Sequence, residues 1–163
     1  MDGVGDYALT LASKLQDVTG YVTVFATPEI SSATTVRGFE VRPFKDLAEV
    51  SDADRVILHY VNYGYQKRGV PFGLVSRLRQ LRRRHRGKFV TVFHELYGSG
   101  PPWGSAFWLQ PLQINLAKAV AHLSDECIVS NENFSDELQR LVPAAKIRLH
   151  PTPSTPPGAL GTI

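Results

Sequence analysis

Runs rich in apolar, β-branched and aromatic residues recur along the chain at 21–26 (YVTVFA), 39–44 (FEVRPF), 54–61 (DRVILHYV), 88–96 (KFVTVFHEL), 126–131 (ECIVSN) and 146–151 (KIRLHP). Between them lie stretches with helical spacing, at 6–16, 45–50, 71–85, 110–122 and 134–141. This alternation predicts an α/β domain in which helices wrap a mainly parallel sheet. In the 71–85 stretch Leu74, Leu78, Leu81 and His85 share one side, and arginines cover the rest of the circumference. Pro71 suits a first helical turn, and Asn133 with Asp136 three positions later suits an N-cap. The runs VILHYV and FVTVF are continuous rather than alternating, which predicts the middle of the sheet, covered on both faces.

The two ends differ from the rest. The opening DGVGDYALTLASKL places a glycine turn directly before an amphipathic helix, a form that normally follows a strand. The closing PTPSTPPGALGTI is rich in proline, glycine and small polar residues without periodicity, and reads as a linker or disordered tail. The expected division is one domain over residues 1–150 and a tail over 151–163.

Composition narrows the picture. At 163 residues and 43% hydrophobic, the chain is long enough for one core and short for two. Its single cysteine, Cys127, excludes a disulfide within the chain and reads as a small core residue, which suits a reducing cytoplasm. The N-terminus carries Asp2 and Asp6 with no basic and then apolar segment, and no run approaches the ~18 apolar residues of a membrane span. Net charge is only +3, yet seven of the 18 basic residues fall in 77–88: Arg77, Arg79, Arg82, Arg83, Arg84, Arg86 and Lys88. A positive face is expected there. Its plain reading is a solvated helix face; its sharper one, through Arg77 to Arg86, is peripheral contact with anionic lipid at the inner membrane face, about 1 kcal/mol per basic residue. No nucleic-acid reader motif accompanies it, so nucleic acid is not an expected partner.

The stretch VTVFHELYGSG, residues 90–100, raises the question of catalytic chemistry, because an apolar strand ends on a His-Glu pair. A helical zinc site would need a second histidine four positions after His94, where Gly98 stands, so no metal is expected. A nucleophile elbow would need glycines two before and two after Ser99, where Tyr97 and Pro101 stand. Gly3-Val4-Gly5 is followed by Asp6-Tyr7-Ala8 and lacks the third glycine of a dinucleotide fingerprint, which disfavours NAD. What remains is position: open parallel sheets bind ligands beyond the carboxyl ends of their strands. His94 and Glu95 stand at such an end, as do His59, Tyr60 and Asn62, then Ser130 and Asn131, with the Gly3–Gly5 turn beside them. A single sheet would gather these along one edge into a cleft. For His94 alone the plain alternative is a strand end with a hydrogen-bonded imidazole. The rings of Tyr60, Tyr63, Tyr65, Tyr97, Trp103 and Trp108, in loops after the central strands, suit sugars or other polyhydroxylated ligands, with part of them roofing the core.

Taken in order, GVGDYALTLASKL, DRVILHYVNYGYQKRGVP, VTVFHELYGSGPPW, the Gln113-containing helix, ECIVSNENF and HPTPSTPP resemble the N-terminal half of a GT-B glycosyltransferase of the family-4-like group. The resemblance covers nearly the whole chain, and HYVNYGY and HELYG are its specific parts. It implies a Rossmann-like three-layer αβα domain, one half of a GT-B fold, whose enzymes move a sugar from a nucleotide-sugar donor to an acceptor hydroxyl, generally with retention and without an essential metal or other cofactor. It further implies that Gly3, Val4 and Gly5 approach the donor diphosphate, that His94 with Glu95 lies near the reacting sugar, and that His59, Tyr63, Tyr65, Tyr97 and Trp103 shape the pocket for a sugar or polyol acceptor. Two departures accompany it: the second, donor-binding half of the family is not in this sequence, and neither is the strand the family places before the glycine turn. On this reading the chain by itself is expected to be inactive or nearly so. The alternatives are a non-catalytic Rossmann-like binding or partner protein that needs a separate donor-domain subunit, and an unrelated flavodoxin-like or Rossmann-like domain with another ligand.

Overall fold

The computed structural model describes residues 3–45, 53–61, 72–98 and 105–150. Helix α1 (Gly3–Thr19) leads into β1 (Val24–Thr27), β2 (Thr34–Val36) and β3 (Phe39–Pro43). Then follow β4 (Arg55–Tyr60), α2 (Phe72–Arg84), β5 (Lys88–Phe93), α3 (Ser105–Leu123), β6 (Glu126–Val129), α4 (Glu132–Leu141) and β7 (Ile147–Leu149). The protein is therefore α/β. Each expected strand is present in shortened form, and β2 is an additional strand that the apolar runs do not mark.

Among the described residues the strands form two sheets rather than the single one expected. One is four-stranded and wholly parallel, in the order β4-β5-β6-β7; the other is three-stranded, in the order β1-β3-β2. Within the second, β1 and β3 run parallel while β2 is antiparallel to β3. The β2–β3 hairpin closes on Arg37 and Gly38, both with positive φ (50° and 85°), the backbone that two-residue hairpin turns require. Arg37 also pairs with Asp6 of α1 at 3.2 Å, tying the hairpin to the helix. Of the two runs expected in the middle of the sheet, β5 is interior, but β4 is the terminal strand of its sheet among the described residues.

The main core lies on the face of the four-stranded sheet that carries α2, α3 and α4. Consecutive parallel strands stepping in one direction put their right-handed crossover helices on one side. Leu58, Tyr60, Phe89, Phe93 and Val129 from the strands meet Leu74, Val75, Leu78 and Leu81 of α2, Leu116, Ala117, Val120 and Ala121 of α3, and Leu138 of α4. Each large side chain buried there contributes about 1.5–3 kcal/mol. His85 is buried beside the leucines, as its spacing predicts. Cys127 is buried too, and burial pushes its thiol up to about 11, which keeps it an inert core residue. Against the three-stranded sheet stands a much smaller cluster, Leu9 and Ala12 of α1 with Phe39.

Asp125 locks the amino-terminal edge of the larger sheet. One of its oxygens accepts from Arg82 of α2 and the other from the backbone N–H of Phe89 at 2.8 Å. At the tight turn between α2 and β5, a Cβ on Gly87 would collide with the backbone carbonyl of Asp54. The N-cap of α4 is Asn131, whose Oδ1 accepts from Phe134 N at 2.9 Å, and not Asn133 as the Asp136 spacing predicts. Starting the helix two residues earlier leaves Asn133 inside its first turn. The glycines also differ from expectation: Gly3, Val4 and Gly5 occupy the first turn of α1 rather than a turn preceding it. Most of the expected 45–50 helix, and the 151–163 tail, lie outside the described residues.

Candidate functional site

Strands β4 and β5 pair in parallel with His59 opposite Val92 and Tyr60 opposite Phe93. His94 follows directly, and its backbone N–H donates to Tyr60 O at 3.1 Å, extending the ladder by one residue. Both histidines therefore sit at the carboxyl edge of adjacent strands. Side chains alternate along a strand. Leu58 and Tyr60 face the helix-covered core, so His59 projects from the opposite face; Phe93 likewise enters the core and His94 does not.

The imidazoles meet on that opposite face. His59 Nδ1 and His94 Nε2 are hydrogen-bonded at 3.1 Å, with ring centroids 5.4 Å apart and planes inclined by 25°. Tyr7 of α1 stands edge-on to both, its centroid 5.8 Å from His59 and 5.7 Å from His94. Tyr7 lies four residues after Gly3, so the first turn of α1 is within about one helical pitch, ~5.4 Å along the axis, of the ring that touches both histidines. The amide groups of a first turn have no partner within their own helix and favour an anion.

Burial sets the protonation state. It pushes His59 down to about 4, with the neighbouring His94 charge adding to the effect, and it also pushes His94 below the ordinary histidine value. Near neutral pH both rings are uncharged. A neutral imidazole has one donor and one acceptor. Whichever ring donates across the 3.1 Å contact, the two remaining nitrogens, His59 Nε2 and His94 Nδ1, then carry opposite roles. The alternative tautomer of both rings exchanges those roles. His94 Nδ1 has no hydrogen-bond partner among the described residues. That nitrogen can donate to or accept from a hydroxyl group, according to the tautomer.

The other expected site residues are placed variously. Glu95 is half-buried, and its Oε2 is enclosed without a hydrogen-bond partner among the described residues, an arrangement that costs free energy unless something else satisfies it. Tyr97 turns to α4, where its hydroxyl donates to Glu137 at 2.6 Å; that bond holds the phenol above its usual pKa. The next residue, Gly98, donates its N–H to the buried Gln113 Oε1 of α3 at 2.7 Å, so Gln113 pins the start of the loop that follows β5. Tyr60 is fully buried and packs edge-on against Phe93, which corrects its assignment to a loop. Trp108 lies on α3, highly exposed, and not in a loop. The Asn131 side chain is engaged in capping α4. Asn62, Tyr63, Tyr65 and Trp103 lie outside the described residues.

Tyr7 is the residue that sequence reasoning missed. Its only signal is its place one turn into a helix that opens on glycines. Among the described residues no group of three or more His, Cys, Asp or Glu side chains gathers as a metal ion requires. Comparison of the chain with protein-family models, with curated proteins and with solved structures finds no match, so geometry and chemistry alone carry the functional reading.

Proposed function

We propose that this chain is the acceptor-binding half of a GT-B glycosyltransferase, a Rossmann-like domain that works with a second, donor-binding half to move a sugar from a nucleotide sugar to an acceptor hydroxyl. The observation that carries the proposal is the neutral His59–His94 pair at the carboxyl edge of β4 and β5, touched by the first helix through Tyr7. An acceptor hydroxyl pairs with His94 Nδ1, as donor or acceptor according to the tautomer of the ring. The first-turn amides of α1 at Gly3, Val4 and Gly5 offer positive dipole to the diphosphate of a donor held by the second half, where negative charge develops as the sugar departs. His94, with Glu95 beside it in the chain, is placed at the reacting sugar, and His59 on the acceptor side. Tyr63, Tyr65 and Trp103 are assigned to acceptor binding by the resemblance, whereas Tyr97, turned to α4, is left out of the pocket.

A test needs only the chain itself. Saturation-transfer NMR with a panel of monosaccharides, polyols and nucleotide sugars should show at least one neutral hydroxyl-rich ligand receiving saturation from the protein. His94→Ala should weaken that ligand by roughly tenfold, the loss of about one good hydrogen bond, with the circular dichroism unchanged. Binding that is indifferent to His94→Ala would remove His94 from the site, and the absence of any bound sugar or polyol would remove the acceptor reading. A second reading, a non-catalytic binding protein completed by another subunit, draws on β1 and β4 each being the terminal strand of its own sheet among the described residues. Unpaired edges of that kind favour association. Native mass spectrometry showing only a monomer over a wide concentration range would count against it.

A further inference from the structure

Helices α2 and α3 lie side by side on the outer face of the larger sheet, and their exposed surfaces hold a combination that the sugar-transfer reading does not use. Neither helix contains an aspartate or a glutamate. On α2, successive residues turn by about 100°. Phe72, Arg79 and Arg83 therefore share the outward stripe opposite the buried Leu74, Leu78 and Leu81. Arg86, just past the end of the helix, is exposed like the others. Arg79, Arg83, Arg84 and Arg86 have no acidic partner among the described residues, whereas Arg82 is engaged with Asp125 and Arg77 with the carbonyl of Phe44. On α3 the exposed side at its amino-terminal end is apolar: Phe107, Trp108 and Leu112. Trp108 is 71% exposed and Phe72, at the start of α2, is 59% exposed.

These groups fall into two zones. Both helices end just before the strand that follows them, so they run back along the sheet in the same direction. Phe72 is about as far from the end of α2 as Leu112 is from the end of α3, and Trp108 stands one turn further out. The aromatic and aliphatic residues thus gather at the amino-terminal end of the helix pair, while the unpaired arginines occupy α2 toward its carboxyl end. Four large apolar side chains held in water at one end, beside an acid-free basic stripe, form a surface complementary to an anionic interface with an apolar interior. A nucleic-acid surface would interleave its rings with its cations to stack bases along a phosphate track. Here they are segregated. No helix among the described residues is long and apolar enough to cross a membrane, so contact of this kind is peripheral.

We propose that the outer face of α2 and α3 docks the protein on an anionic lipid bilayer, with Trp108, Phe107, Leu112 and Phe72 entering the headgroup region and Arg79, Arg83 and Arg86 pairing with lipid phosphates. The measurement is cosedimentation of the whole chain with phosphatidylcholine vesicles, with and without phosphatidylglycerol. Binding is expected only with phosphatidylglycerol, weakened by salt. Arg79→Gln with Arg83→Gln should reduce the partition coefficient by roughly 25-fold, about fivefold for each arginine lost, whereas Arg79→Lys with Arg83→Lys should stay within about twofold of the parent. Trp108→Ala should weaken binding without changing its salt dependence. All these positions are exposed, and unchanged thermal melts will show that the variants fold. No binding to phosphatidylglycerol vesicles, or binding that the double Gln variant leaves intact, overturns the proposal. Retention of an oligonucleotide in place of vesicles, or a salt-sensitive self-association that consumes this face, overturns it equally.

Discussion

His59 shows how much one side chain's surroundings determine. Its ring is held neutral by burial first and by His94 second, with a folded-state pKa of about 4 against an ordinary 6.5. An imidazole whose folded pKa lies below its unfolded one adds stability that is fully present above the unfolded value and is lost as pH falls toward the folded value. Urea unfolding measured between pH 7 and pH 4 should therefore show the native state weakening through the window from 6.5 to about 4, by up to ~3 kcal/mol from this residue. His94, lowered in the same direction, steepens the same slope. In His59→Gln the slope should flatten while the neutral hydrogen bond to His94 is kept. Equal slopes in the two proteins would mean that the pair is not buried as described. The positions of His59 and His94 were legible in the sequence, because each closes an apolar run. Their mutual contact, and that of Tyr7 with both, was not, since nothing local records which strand faces meet across the sheet.

Among the elements, the helix and strand cores follow from hydrophobic spacing, and the ends depend on single hydrogen bonds. Asn131 caps α4 by accepting from Phe134 N. Asn131→Ala should cost about 1 kcal/mol in the unfolding free energy, whereas Asn133→Ala should be near neutral. The reverse ranking would restore the later helix start that the Asn133–Asp136 spacing suggests. Periodicity could not distinguish them, because two asparagines two residues apart both precede a helical pattern and only the backbone geometry at Asn131 (φ −147°, ψ 162°) selects the cap. The β2 strand was invisible for a related reason: Thr34–Val36 is too short for alternation to register, and it exists because Arg37 and Gly38 turn it back onto β3.

At the scale of the molecule the two sheets are unequal. The four-stranded sheet shares its core with three helices, whereas the three-stranded one has Leu9, Ala12 and Phe39 as its buried cluster. Local stability follows buried apolar contact. Amide hydrogen exchange should accordingly be slowest in β5 and β6 and markedly faster in β1 and β3, resolvable by mass spectrometry of peptic fragments after a timed pulse on the intact chain. Uniform protection across both sheets would show that they are joined more firmly than their separate cores imply. A continuous, single sheet was the natural expectation from the strand spacing alone; its division between β1 and β4 is a property of chain packing.

By itself the sequence determined the α/β class, the order of its elements, the leucine face of α2, the buried thiol of Cys127 and the strand ends that carry His59 and His94. These are local quantities, set by the period of apolar residues and the chemistry of one or two side chains. Only the tertiary structure decided that the strands divide into two sheets, that Tyr60 enters the core while Trp108 stays in water, and that His59, His94 and Tyr7 converge. Each of those outcomes depends on which face of one element is covered by another far away in the chain, and a free-energy balance among distant surfaces leaves no short-range mark in the order of residues.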